Sequence, residues 1–445
     1  MQYLGVDIGT TSLSFALIDS EQQQVLWTQS HRHAADIIRG DGFSHWQDAE
    51  SLLEQTQAHT QSYLARFPHV RGIGLSGQMH GMVYVDAQGK VISPLVTWLD
   101  KGFEQQSPQG ISFQEQCLQE TGERLRSGYA MASHYINQCL ERVPATAASF
   151  CSIADALWMR LAGRQEPYCD ASVAASFGLF DVRAGRFRDE SWQRLNRSAL
   201  RLPRLSSQTK LWPVSFAPEL WVTPTLGDNQ ASFIGSCQDL DDSLLVNIGT
   251  SGQISFLSPY YDSEPLELRP FPLEGCYLAV GASLTGGKAL EVLERFFHDV
   301  ARKLGLDIDN AWSLFQRGKR ERVSLEVDSR LAGSHQNPDI RGSVQNIGLH
   351  NFSADGLASA FCQAVIDELL AFLPDPPPEK TRLITSGNAL GANPLLRDRL
   401  EQSLQQQALS TSYKEEAAVG AALYVGALLE ERPLAEFCEN IVHYS

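Results

Sequence analysis

Apolar positions along the chain follow two periods: short apolar runs that predict strands, and spaced apolar sets that predict helices. The clearest helix is predicted at residues 355–373, where Leu357, Phe361 and Val365 fall on one face. Further helices are predicted at 50–67, 128–140, 153–161, 286–304, 394–404 and 415–429, and strands at 70–75, 82–86, 277–280 and 382–385. Residues 182–224 combine Arg, Pro and Ser with few long apolar runs, which predicts surface connections.

A strand near the start of the chain returns in its second half. Residues 4–12 (L-G-V-D-I-G-T-T-S) and 245–252 (L-V-N-I-G-T-S-G) align so that Asp7 pairs with Asn247. Each copy predicts a buried strand, a Gly-Thr turn and a second short strand. Glycine lets a ligand approach the backbone, and successive N–H groups with hydroxyls suit phosphate oxygens. An ordinary tight turn would explain one copy, but repetition at domain spacing favours one polyphosphate held by two halves.

Length and charge narrow the function classes. The 445 residues suffice for two domains of about 200 residues each. A net charge of −16 argues against a nucleic-acid surface, so an anionic ligand needs N–H groups, local cations or a metal ion, with Mg²⁺ the natural candidate. The 8 cysteines show no C-x-x-C spacing, and we expect them reduced in a cytoplasmic protein. Asp7 within the first apolar run indicates a folded strand rather than a signal peptide. The longest apolar run, 417–429, is too short to span a bilayer.

Two glycine-rich matches do not hold in context. Residues 72–77 fit G-x-G-x-x-G, but a β-rich segment follows where a dinucleotide site needs a helix. Residues 281–288 resemble a P-loop, but an extra glycine precedes Lys288 and no Ser or Thr follows it. Glycines that open a well-packed helix explain this second match better.

The chemistry of phosphoryl transfer has candidates in these pieces. Asp228, in G-D-N at the junction of the halves, can supply the base for an acceptor hydroxyl, although such tripeptides are also common as surface turns. Asp7, within an apolar strand, needs a partner such as Mg²⁺, because a buried unpaired carboxylate is costly. Asn247 lacks that charge, so one half should hold the metal.

Polar and aromatic residues follow two strands of the first half. S-G-Q-M-H-G at 76–81 and L-V-T-W-L-D at 95–100 bring hydrogen-bonding groups and a flat apolar face, as a polyhydroxylated ligand needs. A structural role explains His80 at least as well when it is taken alone, and the scattered histidines show no zinc spacing. In the second half, S-G-N-A-L-G-A-N-P at 386–394 predicts a strand-to-helix turn that can hold a purine.

Together these motifs, in this order and spacing, resemble the FGGY carbohydrate kinases over essentially the whole chain. The resemblance implies an α/β protein of two actin/hexokinase-like (ribonuclease H-like) ATPase domains with an interdomain catalytic cleft. It implies an N-terminal domain at 1–235, with the first phosphate hairpin and the sugar pocket, and a C-terminal domain at 236–445, with the second hairpin and the adenosine site. ATP and Mg²⁺ are the implied cofactors.

The family roles transfer to matching positions of this chain. They make Asp228 the catalytic base and Asp7 the magnesium-side carboxylate. The implied phosphate and nucleotide contacts are Gly9, Thr10, Thr11, Ser12, Gly249, Thr250, Ser251, Gly387, Asn388 and Asn393. The implied sugar contacts are Gln78, Met79, His80, Trp98, Asp100 and Asn229. The implied partner is a small sugar, and neither nucleic acid nor a membrane is implied. The resemblance leaves open whether the protein forms a homodimer.

Within the family, the motifs at 95–100, 174–180, 277–287 and 386–390 look most like those of sedoheptulose kinases, with xylulose kinases as the alternative. One departure is Lys101-Gly102, where relatives usually carry Gly-Arg, and a Lys point charge does not replace an Arg fork. An ATP-dependent switch protein of the actin type would not need S-G-Q-M-H-G. A sugar-binding regulator would be expected to lose Asp228 or a phosphate hairpin.

Overall fold

The structure, a computed structural model, describes residues 1–206, 211–259, 266–315, 324–334, 337 and 339–444. Two compact units are present. Unit 1 contains Met1–Gln238, Arg269–Cys276 and Glu415–His443. Unit 2 contains Asp239–Leu268, Tyr277–Lys414 and Tyr444–Ser445. The boundary predicted between residues 235 and 236 divides the chain differently and stays a prediction.

The described residues form both strands and helices. The strands are β1 Gln2–Ile8, β2 Ser12–Asp19, β3 Gln24–Arg32, β4 Asp36–Ile37, β5 Trp46–Gln47, β6 Val70–Gly77, β7 Val83–Asp86, β8 Leu95–Val96, β9 Ala147–Cys151, β10 Tyr168–Cys169, β11 Phe180–Asp181, β12 Arg186–Phe187, β13 Arg204–Leu205, β14 Trp212–Val214, β15 Ala217–Gly227, β16 Ser243–Ile248, β17 Gly252–Ser258, β18 Glu267–Pro270, β19 Tyr277–Ser283, β20 Glu326–Asp328, β21 Ser343–Gln345, β22 Arg382–Ser386 and β23 Ala408–Leu409. The helices are α1 Ala49–Arg66, α2 Phe113–Thr121, α3 Ala130–Cys139, α4 Ile153–Ala162, α5 Ala171–Ser176, α6 Asp189–Leu195, α7 Asp228–Ser236, α8 Gly287–Lys303, α9 Ala354–Leu370, α10 Asn388–Ala392, α11 Pro394–Leu404, α12 Glu416–Leu429 and α13 Leu434–Ile441, with short 3₁₀ turns at Gly102–Glu104 and Trp312–Phe315.

Unit 1 is built on a six-stranded mixed sheet in the order β14-β15-β6-β1-β2-β3. Strand β1 pairs antiparallel with β2, which confirms the first predicted hairpin, and parallel with β6. Apolar residues of β1, β2 and β6 are buried with those of α1 and α4. The carboxyl ends of β1, β6 and β15 therefore lie at the same edge of the sheet.

The second six-stranded sheet, in the order β18-β19-β17-β16-β22-β23, repeats this arrangement and supplies the main strands of unit 2. Strands β16 and β17 form the second predicted hairpin, and β22 lies parallel to β16. Helix α9, the clearest helix of the sequence pattern, buries Leu357, Phe361 and Val365 in this core. The prolines at 374, 376, 377 and 378 follow its end, as expected for residues that cannot continue a helix.

Helix α12 returns the end of the chain to the sheet of unit 1. An added Cβ at Gly5 or Gly74 would lie 1.7 or 1.8 Å from a backbone oxygen of α12. Only glycine at these two strand positions permits so close an approach, and α12 has small residues, including Ala418 and Ala421, opposite them. The small residues of α12 thus allow its close contact with β1, β6 and α7.

One segment differs from its prediction. Residues 182–224 were expected to be surface connections, but β15 is an eleven-residue strand that pairs with β6 and buries Val222, Thr223 and Leu226. Pro218 and Pro224 concealed this strand, since proline cannot donate a ladder hydrogen bond, and the register shifts between Val222 and Thr225. Residues 207–210 of that segment lie outside the described residues. Among the described residues, no helix is both long and apolar enough to cross a bilayer.

Candidate active site

The turn of the first hairpin is fixed by side chains from elsewhere in unit 1. The Gly9 N–H donates to the Ser12 carbonyl at 2.9 Å, which closes the turn between β1 and β2. The Gln47 amide donates to the Thr10 carbonyl at 2.8 Å, and the Trp98 indole N–H donates to the Thr10 hydroxyl at 2.9 Å. Trp98, predicted to contact sugar, therefore lies against the hairpin predicted to contact phosphate.

Asp7 and Asp228 form a pair of half-buried carboxylates in unit 1. Asp7 lies beside Ser76 in the β1–β6 register, and its Oδ1 is buried with no hydrogen-bond partner among the described residues. Burial, with the charge of Asp228, raises the pKa of Asp7 to about 7. A carboxylate oxygen held in this way fits a cation, because a cation would compensate both the burial and the repulsion.

Asp228 is the first residue of α7 and follows directly on β15. The Gly227 N–H donates to the Ser172 hydroxyl at 3.1 Å, and the Asn229 amide donates to Asp228 Oδ1 at 2.8 Å. Burial raises the pKa of Asp228, while the nearby charge of Arg269 lowers it. The carboxylate thus has a fixed rotamer and an environment that makes it more basic than a surface aspartate.

The segment S-G-Q-M-H-G carries three predicted sugar contacts beyond the end of β6. The Gln78 amide donates to Gln47 Oε1 at 3.1 Å, and Gln78 Oε1 is buried without a partner among the described residues. Met79 is buried, with its sulfur 3.6 Å from the Asn229 amide nitrogen. Gln78 is therefore tied to the first hairpin through Gln47, and Met79 lies beside the residue after Asp228.

His80 adopts a backbone conformation that histidine rarely takes, with φ of 71°. Its N–H donates to the Ser176 hydroxyl at 3.0 Å, and its Nδ1 lies 3.0 Å from the Ser176 carbonyl, which accepts from the Nδ1–H tautomer. The imidazole stacks on Tyr129 with ring centroids 4.4 Å apart. These contacts hold the imidazole in one orientation, as a binding residue requires.

Asp100 has a different environment from the exposed Trp98. Its side chain is buried and accepts hydrogen bonds from the His45 N–H, the Trp46 indole and the Gly102 N–H at 2.9–3.1 Å. Burial raises the pKa of Asp100, and these hydrogen bonds oppose the rise. The carboxylate organises the loop around Trp98, whose side chain is 46% exposed. The departure Lys101-Gly102 falls on this loop, where Lys101 is exposed and Gly102 contacts Asp100.

In unit 2 the turn of the second hairpin is also closed by a backbone hydrogen bond, which spans one residue fewer than in the first hairpin. The Gly249 N–H donates to the Ser251 carbonyl at 3.0 Å. The N–H groups of Gly287 and Lys288, at the start of α8, donate to the carbonyls of Gly249 and Thr250. The P-loop match at 281–288 is thereby excluded, because the first N–H groups of this helix bind the hairpin.

The three predicted nucleotide residues of unit 2 have different environments. Gly387 has φ of 91°, and an added Cβ would lie 2.5 Å from Asn247 Oδ1, so the turn after β22 packs against the second hairpin. Asn388 follows on the surface. Asn393 is buried, and its side chain accepts from the Leu396 N–H to cap α11, while its Nδ2 has no partner among the described residues. The amide oxygen of Asn393 thus caps α11, while its amide nitrogen makes no hydrogen bond to the described residues.

Four residues of this arrangement were not identified from the sequence. Gln47 links the first hairpin to Gln78, and Ser172 accepts a hydrogen bond from the Gly227 N–H. Ser176 orients His80, and the positive charge of Arg269 lowers the pKa of Asp228. Only Ser176 had a signal, as part of the motif at 174–180. The others are single polar residues far along the chain from their partners.

Residues 2–214 match the N-terminal domain of the FGGY family of carbohydrate kinases. The chain is a carbohydrate kinase that resembles the FGGY family. Over 94% of its length it is 25% identical to the human sedoheptulokinase, of which it covers 96%. It is 22% identical to the xylulose kinase of Haemophilus influenzae over 99% of its length and 93% of that protein.

Solved structures of sugar kinases share the fold of this kinase. A xyloylose kinase from Brucella ovis matches 100% of the chain and 94% of its own, with a TM-score of 0.83 at 21% identity. A xylulose kinase from Rhodospirillum rubrum matches 100% and 93%, with a TM-score of 0.80 at 20% identity. The predicted α/β, ribonuclease H-like and actin-like fold is confirmed. The kinase is a phosphotransferase that acts on sugars, and its family uses ATP as the phosphate donor.

Proposed function

We propose that this kinase transfers a phosphoryl group from MgATP to the C1 hydroxyl of a ketose, with sedoheptulose preferred over xylulose. The observation that carries the proposal is the environment of Asp228. Its carboxylate is held by Asn229 at the start of α7, is half-buried, and belongs to the same unit as Gln78, Met79 and His80. A base with these neighbours can accept the proton of a sugar hydroxyl as that oxygen attacks phosphorus.

The sugar would be held by the residues beyond β6 and by Trp98. Gln78 offers a hydroxyl a buried carbonyl oxygen that has no partner in the described part of the chain, and His80 offers an imidazole fixed by Ser176. Trp98 offers an exposed indole face of the kind that packs on a sugar ring or chain. Asn229 lies between Asp228 and Met79. We assign Asp100 mainly to positioning, since three internal donors already use its oxygens.

The nucleotide and the metal would use the two hairpins. Gly9, Thr10, Thr11 and Ser12 in unit 1, with Gly249, Thr250 and Ser251 in unit 2, supply N–H groups and hydroxyls for phosphate oxygens. Gly387, Asn388 and Asn393 would line the purine. Mg²⁺ would lie beside Asp7, whose buried Oδ1 needs a cation, and when bound would neutralise charge on the phosphates.

Similarity and motif content support sedoheptulose over xylulose. The sedoheptulokinase relative matches nearly its whole length, and the motifs at 95–100 and 277–287 favour the same class. A site built to bind hydroxyls penalises a sugar that leaves its polar groups unpaired, by about 1 to 3 kcal/mol for each buried hydrogen bond lost. Xylulose, two carbons shorter, should therefore react more slowly.

The test is kcat/KM for both sugars at saturating MgATP, with the phosphate position determined by NMR. We expect a higher value for sedoheptulose and phosphate on C1. The Asp228→Asn protein, purified in parallel, reports any contaminating kinase activity. A higher value for xylulose would move the protein to the xylulose kinases, and phosphate on another carbon would refute the proposed role of Asp228.

A further inference from the structure

Unit 1 contains a cavity that none of the proposed kinase residues lines. Its volume is about 440 Å³, which is within the usual range for a small-molecule site. The cavity lies between β5, β7, β8 and the end of α3, and its lining includes Trp46, Met82, Tyr84 and Val96. Of the proposed sugar contacts, only Asp100 is connected to it, through the hydrogen bond from the Trp46 indole.

The charge of this cavity is opposite to that of the whole chain. Its described lining residues include Arg39 and Arg142 and contain no Asp or Glu, in a protein of net charge −16. Arg39 lies over the Trp46 ring, 4.1 Å from its centroid, and also lies 3.8 Å from Asp41. Among the described residues, Arg142 forms no ion pair. Two guanidinium groups at one cavity favour an anion with two charges.

The inner wall of the cavity is apolar and rigid. Met82 and Val96 are buried beside the half-buried ring of Trp46. The Tyr84 hydroxyl, also in the wall, is fixed by His134 at 2.9 Å and by the Asn137 amide at 3.3 Å. Such a wall can pack against a flat apolar group of a ligand. Arg39 and Arg142 are exposed to solvent.

We propose that this cavity binds a phosphate monoester whose organic part is a flat, largely apolar group. A phosphate monoester carries a charge of about −1.5 to −2 at pH 7, which matches two arginines better than a carboxylate does. Arg39 and Arg142 bind the phosphate, and the ring lies against Trp46, Met82 and Val96. The site is additional to the binding of ATP and sugar by the kinase residues.

The binding test uses phenyl phosphate as the probe, with calorimetry at constant ionic strength. We expect one saturable site, which phenol and inorganic phosphate fill more weakly, because each lacks one half of the recognised group. Arg39→Gln and Arg142→Gln should each weaken binding at least tenfold, since each removes a charge-assisted contact. Arg164→Gln changes an exposed arginine outside the cavity and should bind like the wild type.

A second readout locates the ligand independently of the arginines. The chain has 5 methionines, and Met82 lines the cavity while Met79 lies beside Asn229. With ¹³C-methyl methionine labelling, phenyl phosphate should shift the Met82 resonance and leave Met79 unchanged. Assignment follows from Met82→Leu and Met79→Leu.

Competition against phenyl phosphate then tests the organic part of the ligand. Stronger displacement by AMP, whose base is flat, supports the proposal, and stronger displacement by glucose 6-phosphate, whose sugar is neither flat nor apolar, would overturn it. Absence of saturable binding, unchanged affinity in both arginine variants, or a shift of Met79 without Met82 would each overturn the proposal. None of these outcomes depends on which ketose the kinase phosphorylates, so this proposal and the proposed function fail separately.

Discussion

Asp228 is the residue on which catalysis is expected to depend most. Asp228→Asn keeps the size and the partner Asn229 but removes the base, so kcat should fall by about 10² to 10⁴ while ATP affinity changes little. Steady-state kinetics and calorimetric ATP binding measure the two effects. Asp189→Asn, an exposed aspartate at the first turn of α6, is the matched control and should retain kcat. A kcat above half of the wild-type value in Asp228→Asn would remove Asp228 from the mechanism.

The metal requirement is expected to follow Asp7 and not its counterpart in the second hairpin. Asp7→Asn removes the half-buried carboxylate and should raise the Mg²⁺ concentration for half-maximal activity. Asn247→Ala changes the equivalent strand position, which has no charge, and should leave that concentration nearly unchanged. Titration of activity with Mg²⁺ at fixed ATP compares them. A larger metal defect in Asn247→Ala would contradict the assignment.

His134 makes stability depend on pH. It is buried, its Nε2–H donates to Asn196 and its Nδ1 accepts from Tyr84, and burial lowers its pKa to about 4. Between pH 6.5 and 4, His134 is protonated in the unfolded chain but stays neutral in the folded protein. The contribution is therefore complete above pH 6.5 and is lost as pH falls toward 4, by about 2 kcal/mol at pH 5.

Chemical denaturation of the wild type and of His134→Gln at pH 7 and pH 5 isolates this residue from other titrating groups. The free energy of unfolding of the wild type should fall more between the two pH values than that of the variant. Equal changes in both proteins would show that His134 is not the group responsible.

At the level of elements, the crossing of α7 and α12 depends on two glycines. An added Cβ at Gly420 would lie 1.8 Å from the Ala231 carbonyl, and one at Gly235 would lie 1.9 Å from the Glu416 carbonyl. Gly420→Ala should therefore destabilise the protein by about 1 to 3 kcal/mol or more, because backbone must move. Gly391→Ala, in α10 with no atom within 4 Å of the added Cβ, should be neutral or stabilising by up to about 1 kcal/mol. Denaturant unfolding compares the two, and equal stability would contradict the packing argument.

The elements also show which features a sequence reveals. The hairpins, α1 and α9 were predictable because their apolar residues keep one period over the whole element. Strand β15 was missed because Pro218 and Pro224 interrupt its pattern. Likewise the site motifs were found where neighbours in sequence act together, as in S-G-Q-M-H-G. Gln47 and Ser172 were missed because their hydrogen bonds to Gln78 and Gly227 join distant segments, and no local spacing records such a contact.

At the scale of the whole molecule, each of the two compact units combines separate stretches of the chain. Each unit has its own apolar core, but Glu415–His443 returns to unit 1. Helix α12 covers glycine strands of the central sheet, and α13 adds Phe437 and Cys438 as buried residues. The unit that carries Asp7, Asp228 and the proposed sugar contacts is thus completed by residues 415–443.

A chain that ends at Lys414 should therefore lose the stability of unit 1 more than that of unit 2. Without α12, the faces of β1, β6 and α7 are exposed, and their apolar atoms lose a burial worth about 25 cal/mol per Å². Limited proteolysis with mass spectrometry measures which unit is cleaved first, and we expect early cuts within residues 1–238. A chain that ends at His443 keeps α12 and α13 and is the control. A chain ending at Lys414 whose residues 1–238 resist protease as well as this control would show that unit 1 is stable without the C-terminal helices.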